Sequence, residues 1–154
     1  MWRLRPIETV ETIYDIDFTR LHACGKRILL FDLDNTLGRR GMRHLPGSIL
    51  VFLRSLVERG FAVGVVTNRR RNADSPAVHD LRTQVPVVHA AGKPGRRGFL
   101  ELLVRLDGTA ADAVMIGDRR LTDILGANRL GIHSILVRSV RGGSETSQEE
   151  APAS

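Results

Sequence analysis

The chain has 154 residues, 42% of them hydrophobic, which is enough for one core and too few for two comfortable ones. No run approaches the roughly 18 consecutive apolar residues of a membrane span, and residues 1–6 lack a signal-peptide core, so a cytoplasmic protein is expected. The lone Cys24 excludes an intramolecular disulfide and argues against a thiolate zinc site, while a formal charge of +6, nearly all from arginine, favours anionic partners.

Residues 7–22 carry Ile7, Val10, Ile13, Ile16, Phe18 and Leu21, a spacing that predicts one helix or two short ones packed on the rest. The four apolar residues 28–31 then read as a strand buried on both faces. That strand runs directly into Asp32-Leu33-Asp34-Asn35-Thr36-Leu37, two carboxylates one residue apart at a strand's carboxyl end. Ligands of open α/β sheets bind at that end. Two anions so close need a counter-charge, which a hard cation such as Mg²⁺ supplies; with one acid held ionised, the other can act as a general acid. The plainer alternative is that both acids cap the following turn.

Further along, residues 48–58 read as a helix and 61–66 as a second buried strand ending in Thr67-Asn68, a hydroxyl and an amide placed to meet an anion. A weaker helix is expected over 74–82. The short run at 87–89 leads to Ala91-Gly92-Lys93-Pro94, where Lys93, one of two lysines, is a point charge suited to a phosphate. Residues 98–106 and 121–130 read as amphipathic helices around a strand at 113–116, which is followed by Gly117, Asp118 and Asp123. Residues 132–137 read as a last strand, and the small, polar stretch 142–154 is expected to be a disordered tail. The β/α alternation predicts a parallel sheet of about five strands between two helical layers, in a single domain over 1–141.

Taken jointly, Asp32-x-Asp34-x-Thr36, Thr67-Asn68, Lys93 and Gly117-Asp118 with Asp123 resemble, in order and spacing, the four motifs of the haloacid dehalogenase (HAD) superfamily of phosphatases. Residues 28–137 carry the likeness, and Asp-x-Asp-Asn-Thr-Leu, Ala-Gly-Lys-Pro and Ile-Gly-Asp resemble its YqeG-like branch, related to mitochondrial phosphatidylglycerophosphate phosphatases. The resemblance implies a three-layer Rossmann-like fold and a Mg²⁺-dependent phosphomonoesterase. Asp32 would be the nucleophile that becomes an aspartyl phosphate, and Asp34 the general acid and then base. Thr67, Asn68 and Lys93 would hold the phosphoryl oxygens. Asp32, Asp118 and the main-chain carbonyl of Asp34 would ligate the metal, with Thr36 and Asp123 in support.

HAD enzymes commonly insert a cap after the first or second motif, but both intervals here have room only for a helix and its loops. An open site is therefore expected, overhung by the loop 38–44. Arg39-Arg40, Arg69-Arg70-Arg71, Arg96-Arg97 and Arg119-Arg120 each follow a strand end and would gather on the catalytic edge, unless they simply reflect an arginine-rich surface. The expected partner is a phosphorylated substrate: a lipid headgroup, phosphatidylglycerophosphate first by resemblance, or a soluble nucleotide, sugar phosphate or nucleic-acid end. Peripheral contact with an anionic membrane is compatible with the charge, although Glu8, Glu11, Asp15 and Asp17 would oppose it. The competing class is a basic nucleic-acid or membrane-surface binding module that keeps the acids for structure. It has no need of a nucleophile, an acid, a lysine and a metal ligand together.

Overall fold

The computed structural model describes residues 2–70 and 75–140. Its strands are β1 (Glu8–Val10), β2 (Ile28–Phe31), β3 (Ala62–Val66), β4 (Val87–Val88), β5 (Ala113–Gly117) and β6 (His133–Val137). Between them lie helices α1 (Phe18–Ala23), α2 (Gly47–Glu58), α3 (Pro76–Arg82), α4 (Arg96–Arg105) and α5 (Leu125–Leu130). All strands pair in parallel in the order β1-β6-β5-β2-β3-β4, so β2 sits at the centre, with Ile28 beside Ala62 on one flank and Ala113 on the other.

Strand alternation sorts the core into two layers. Leu29, Phe31, Val63, Val65, Val114 and Ile116 face α1, α2 and α3, meeting Phe18, Leu53, Leu56 and Leu81. Ile28, Leu30, Val66, Ala113 and Met115 face α4 and α5, meeting Phe99, Leu102, Leu103 and Ala127. Each fully buried Leu or Phe contributes about 1.5–3 kcal/mol relative to exposure. The expected α/β/α architecture is present. Between β2 and β3 lie one loop and α2, and between β3 and β4 α3 is the described helix.

Two expectations need correction. The sheet has six strands rather than about five, because part of the segment expected to be helical, Glu8–Val10, pairs with Ile135–Val137 of β6. Only Ile13–Asp15, a 3₁₀ turn, and α1 are helical there. Apolar residues three apart suit a helix, but the unpaired edge of β6 offers backbone partners that outweigh a local preference. Three acids of this stretch have local duties. Glu8 pairs with Arg20 at 2.9 Å and His133 at 2.8 Å, Asp15 completes a capping box with Thr12, and Asp17 caps α1. The second correction concerns 121–130, where a π-helical turn, Arg120–Ile124, precedes α5. The expected helix over 74–82 begins at Pro76, its residue 74 lying outside the described residues, as does the expected tail. Among the described residues no helix is long and apolar enough to cross a membrane.

Candidate active site

Asp32 leaves the end of β2 and Asp118 the end of β5, two neighbouring strands between which the order of the sheet reverses. Such a switch point opens a crevice at the carboxyl edge of an α/β sheet. Lys93 enters it from the loop after β4. Its Nζ donates to Asp32 Oδ1 at 2.7 Å, to Asp123 Oδ1 at 2.7 Å and to the Val66 carbonyl at 2.9 Å, with the side chain 2% exposed. All three ammonium donors are thereby used.

Thr67 is buried, and its Oγ1 accepts from the Arg69 N–H at 3.1 Å. The Asn68 amide brackets the Lys93 backbone: Oδ1 accepts the Lys93 N–H at 2.9 Å and Nδ2 donates to the Lys93 carbonyl at 3.1 Å. Asn68 lines the cleft, and both polar atoms of its side chain hold the Lys93 backbone, with the second Nδ2 hydrogen left over for another acceptor. Asp123 sits on the π-helical turn, completely buried, where Oδ2 accepts the Arg119 N–H at 3.2 Å. Gly117 makes room for it, since a Cβ there would lie 2.7 Å from the Asp123 Cβ. Thr36 is also fully buried, and its hydroxyl has no hydrogen-bond partner among the described residues.

The Asp34 carboxylate is gripped by Arg69, Nη2 donating to Oδ1 at 2.6 Å and Nε to Oδ2 at 3.0 Å, while Arg69 Nη1 donates to Ser75 Oγ at 3.0 Å. Asp32, Asp34, Thr67, Asn68 and Lys93, with Arg40, Arg69, Arg119 and Thr122, line a cleft of ≈ 160 Å³. A buried lysine between two carboxylates, with a hydroxyl and a third acid at the cleft's edge, can bind and neutralise a phosphoryl group.

Over 132 residues the chain is 30% identical to Probable phosphatase YqeG of Bacillus subtilis, a match covering 86% of this chain and 76% of that protein. The chain belongs to the YqeG-like phosphatases of the HAD superfamily. It is 30% identical over 142 residues to phosphatidylglycerophosphate phosphatase 1, chloroplastic, of Chlamydomonas reinhardtii, covering 86% of this chain and about half, 52%, of that relative. The HAD-hydrolase-like family profile matches residues 90–154. Among solved structures, the HAD phosphatase of Thermococcus onnurineus superposes with a TM-score of 0.60 at 17% identity, over 77% of this chain and 90% of that one, so the two share the fold.

In this HAD phosphatase the electrostatics are set by burial. Burial pushes the Asp32 and Asp123 carboxyls above the ordinary range against the pull of Lys93, and pushes Asp118 up with help from the Asp123 charge. For Lys93, burial acts to lower the pKa, but Asp123 and Asp32 outweigh it and hold the ammonium above its usual value. Oxygens of Asp32, Asp118 and Asp123 lie within 4.8 Å of one another, three carboxylates against one ammonium. A divalent cation fits that imbalance, and Asp118 Oδ1 is buried without a hydrogen-bond partner among the described residues, a hard oxygen free to ligate. Asp123 already accepts from Lys93 and from the Arg119 N–H, one bond to each oxygen, whereas Asp118 Oδ1 has no such partner among the described residues.

The arginine clusters divide. Arg40, Arg69 and Arg119 reach the cleft, whereas Arg97 lines a separate cavity with Arg82, His89 and Arg105, and Arg120 donates to the Leu4 carbonyl. Arg71 lies outside the described residues. Arg119 and Arg120 thus diverge although adjacent, so adjacency in sequence overstates the basic rim. The Asp34–Arg69 pair and the cleft-lining Thr122 had no specific sequence signal beyond Arg69 following a strand-end Thr-Asn.

Proposed function

We propose that this phosphatase is a Mg²⁺-dependent phosphomonoesterase working through an aspartyl phosphate on Asp32. The observation that carries the reading is Lys93, buried and bonded to both Asp32 and Asp123, with the orphaned Asp118 oxygen beside them. An Asp32 carboxylate oxygen attacks phosphorus as the bond to the leaving oxygen breaks, and Asp34 donates a proton to release the alcohol. Thr67 and Lys93 hold the transferring oxygens, while Asn68 and Asp123 hold Lys93 in place. Water then attacks phosphorus, Asp34 takes its proton, and cleavage of the Asp32–phosphorus linkage frees inorganic phosphate and restores the carboxylate. Mg²⁺ would be held by Asp32, Asp118 and the Asp34 carbonyl, where a hard cation supplies charge stabilisation to a reaction that is mostly positioning and electrostatics.

The leading substrate is phosphatidylglycerophosphate, the lipid named for the algal relative, with soluble phosphomonoesters as the alternative. Mg²⁺-dependent phosphate release from detergent-dispersed phosphatidylglycerophosphate and from a soluble panel, by wild type and Asp32→Asn, tests both parts. Asp32→Asn is expected to lose at least about a thousandfold in kcat, as removal of a covalent nucleophile does. Release that survives the substitution, or none from any substrate, defeats the mechanism.

A further inference from the structure

A groove of ≈ 630 Å³ opens beside the catalytic cleft, lined by Asp34, Arg40, Met42, Arg43, Arg69 and Ser75 among others. It shares Asp34, Arg40 and Arg69 with the cleft, so a single substrate can occupy both. Three guanidiniums line it against one carboxylate, and that carboxylate has both oxygens taken by Arg69. Arg40 and Arg43 are exposed and pair with no carboxylate among the described residues. Among the described residues the groove therefore keeps a net positive charge at the mouth of the active site.

Arg69 joins the two spaces. Its backbone is pinned, the N–H donating to Thr67 Oγ1 and the carbonyl accepting from Ala90 N–H at 2.7 Å, so the guanidinium is the part able to change partner. Arg69 holds both Asp34 oxygens, so a leaving oxygen has to compete with the guanidinium fork for that carboxylate. A phosphate offers the same two-oxygen match to the guanidinium fork as a carboxylate does.

We propose that the groove is an anion subsite for a second phosphate or phosphodiester group of the substrate, and that filling it draws Arg69 off Asp34. This rests on the phosphatase reading above and names the substrate class as phosphomonoesters carrying a second anionic phosphate. A lipid headgroup and a soluble bisphosphate both present that chemistry.

The test measures kcat and KM for glycerol 3-phosphate, fructose 1,6-bisphosphate, glycerophosphoglycerol phosphate and the corresponding lipid in detergent, with wild type, Arg43→Ala, Arg69→Ala and Asp32→Asn. At least one substrate with two phosphates should exceed glycerol 3-phosphate by about thirtyfold in kcat/KM, the scale of one or two charge-assisted hydrogen bonds, and Arg43→Ala should shrink that ratio about tenfold. Arg69→Ala should narrow the kcat difference between one- and two-phosphate substrates, which a purely structural arginine would leave alone. A lipid advantage over the soluble diester assigns the second anion to a headgroup, and equal rates assign it to a soluble ligand; both support the subsite. Asp32-dependent turnover that is equal for one and two phosphates overturns the subsite and leaves the phosphatase standing. In calorimetry, glycerophosphoglycerol phosphate should bind Asp32→Asn about tenfold more tightly than it binds the Asp32→Asn/Arg43→Ala double variant. Equal affinities overturn the subsite even if turnover is absent.

Discussion

At the residue scale the site depends on Lys93 more than on any other cation. Replacing it by Met leaves Asp32 and Asp123 buried and facing each other without the ammonium between them, an arrangement expected to cost about 3–5 kcal/mol of stability as well as turnover. Chemical denaturation of the metal-free protein reads that loss directly. Gly117→Ala acts on the same cluster from behind: the new methyl displaces Asp123, and a fall of about a hundredfold in kcat is expected from misplacing Lys93. Steady-state kinetics on a soluble phosphoester, with circular dichroism to confirm the fold, checks it. Asp32, Asp34, Thr67, Lys93 and Asp118 were legible because each directly follows, or closely trails, an apolar run, and strand ends are where α/β sheets do chemistry. The grip of Asn68 on Lys93 and of Arg69 on Asp34 spans 25 and 35 residues of sequence, and no local pattern encodes which side chain a loop will meet.

At the element scale, strands buried on both faces announced themselves as unbroken apolar runs, and their helices as amphipathic ones, so the central β2, β3 and β5 and the helices between them were readable. β1 was not, because three residues with a single apolar side chain among them become a strand only through the backbone of β6. The π-helical turn was equally hidden. It widens the chain where the Asp123 carboxylate folds back to the Arg119 N–H, a geometry seen in the ring of bonds around Lys93 and not in residue spacing. The α4 layer carries its own prediction. Phe99 is fully buried against Gly126 of α5, and Phe99→Ala is expected to cost about 3–5 kcal/mol by transfer and cavity terms, visible as a lower denaturation midpoint with an unchanged slope.

For the whole molecule, the concentration of three acids and one lysine at a single sheet edge would couple folding to a divalent cation bound there. A divalent ion at a hundred times its Kd is expected to add about 2.7 kcal/mol, or roughly 5–10 °C in Tm for a chain of this size, with Asp118→Asn abolishing most of the shift. Thermal melts with and without Mg²⁺ settle the point independently of any substrate. The β1–β6 pairing has a further consequence. Glu8 lies beside Ile135, so the first strand in sequence has no seat until nearly the last has been made. During synthesis Asp32, Lys93, Asp118 and Asp123 emerge and can gather on β2, β3 and β5 while residues 8–10 still wait. The amino-terminal strand is thus among the last pieces of the sheet to dock, reversing the usual first-out, first-folded order.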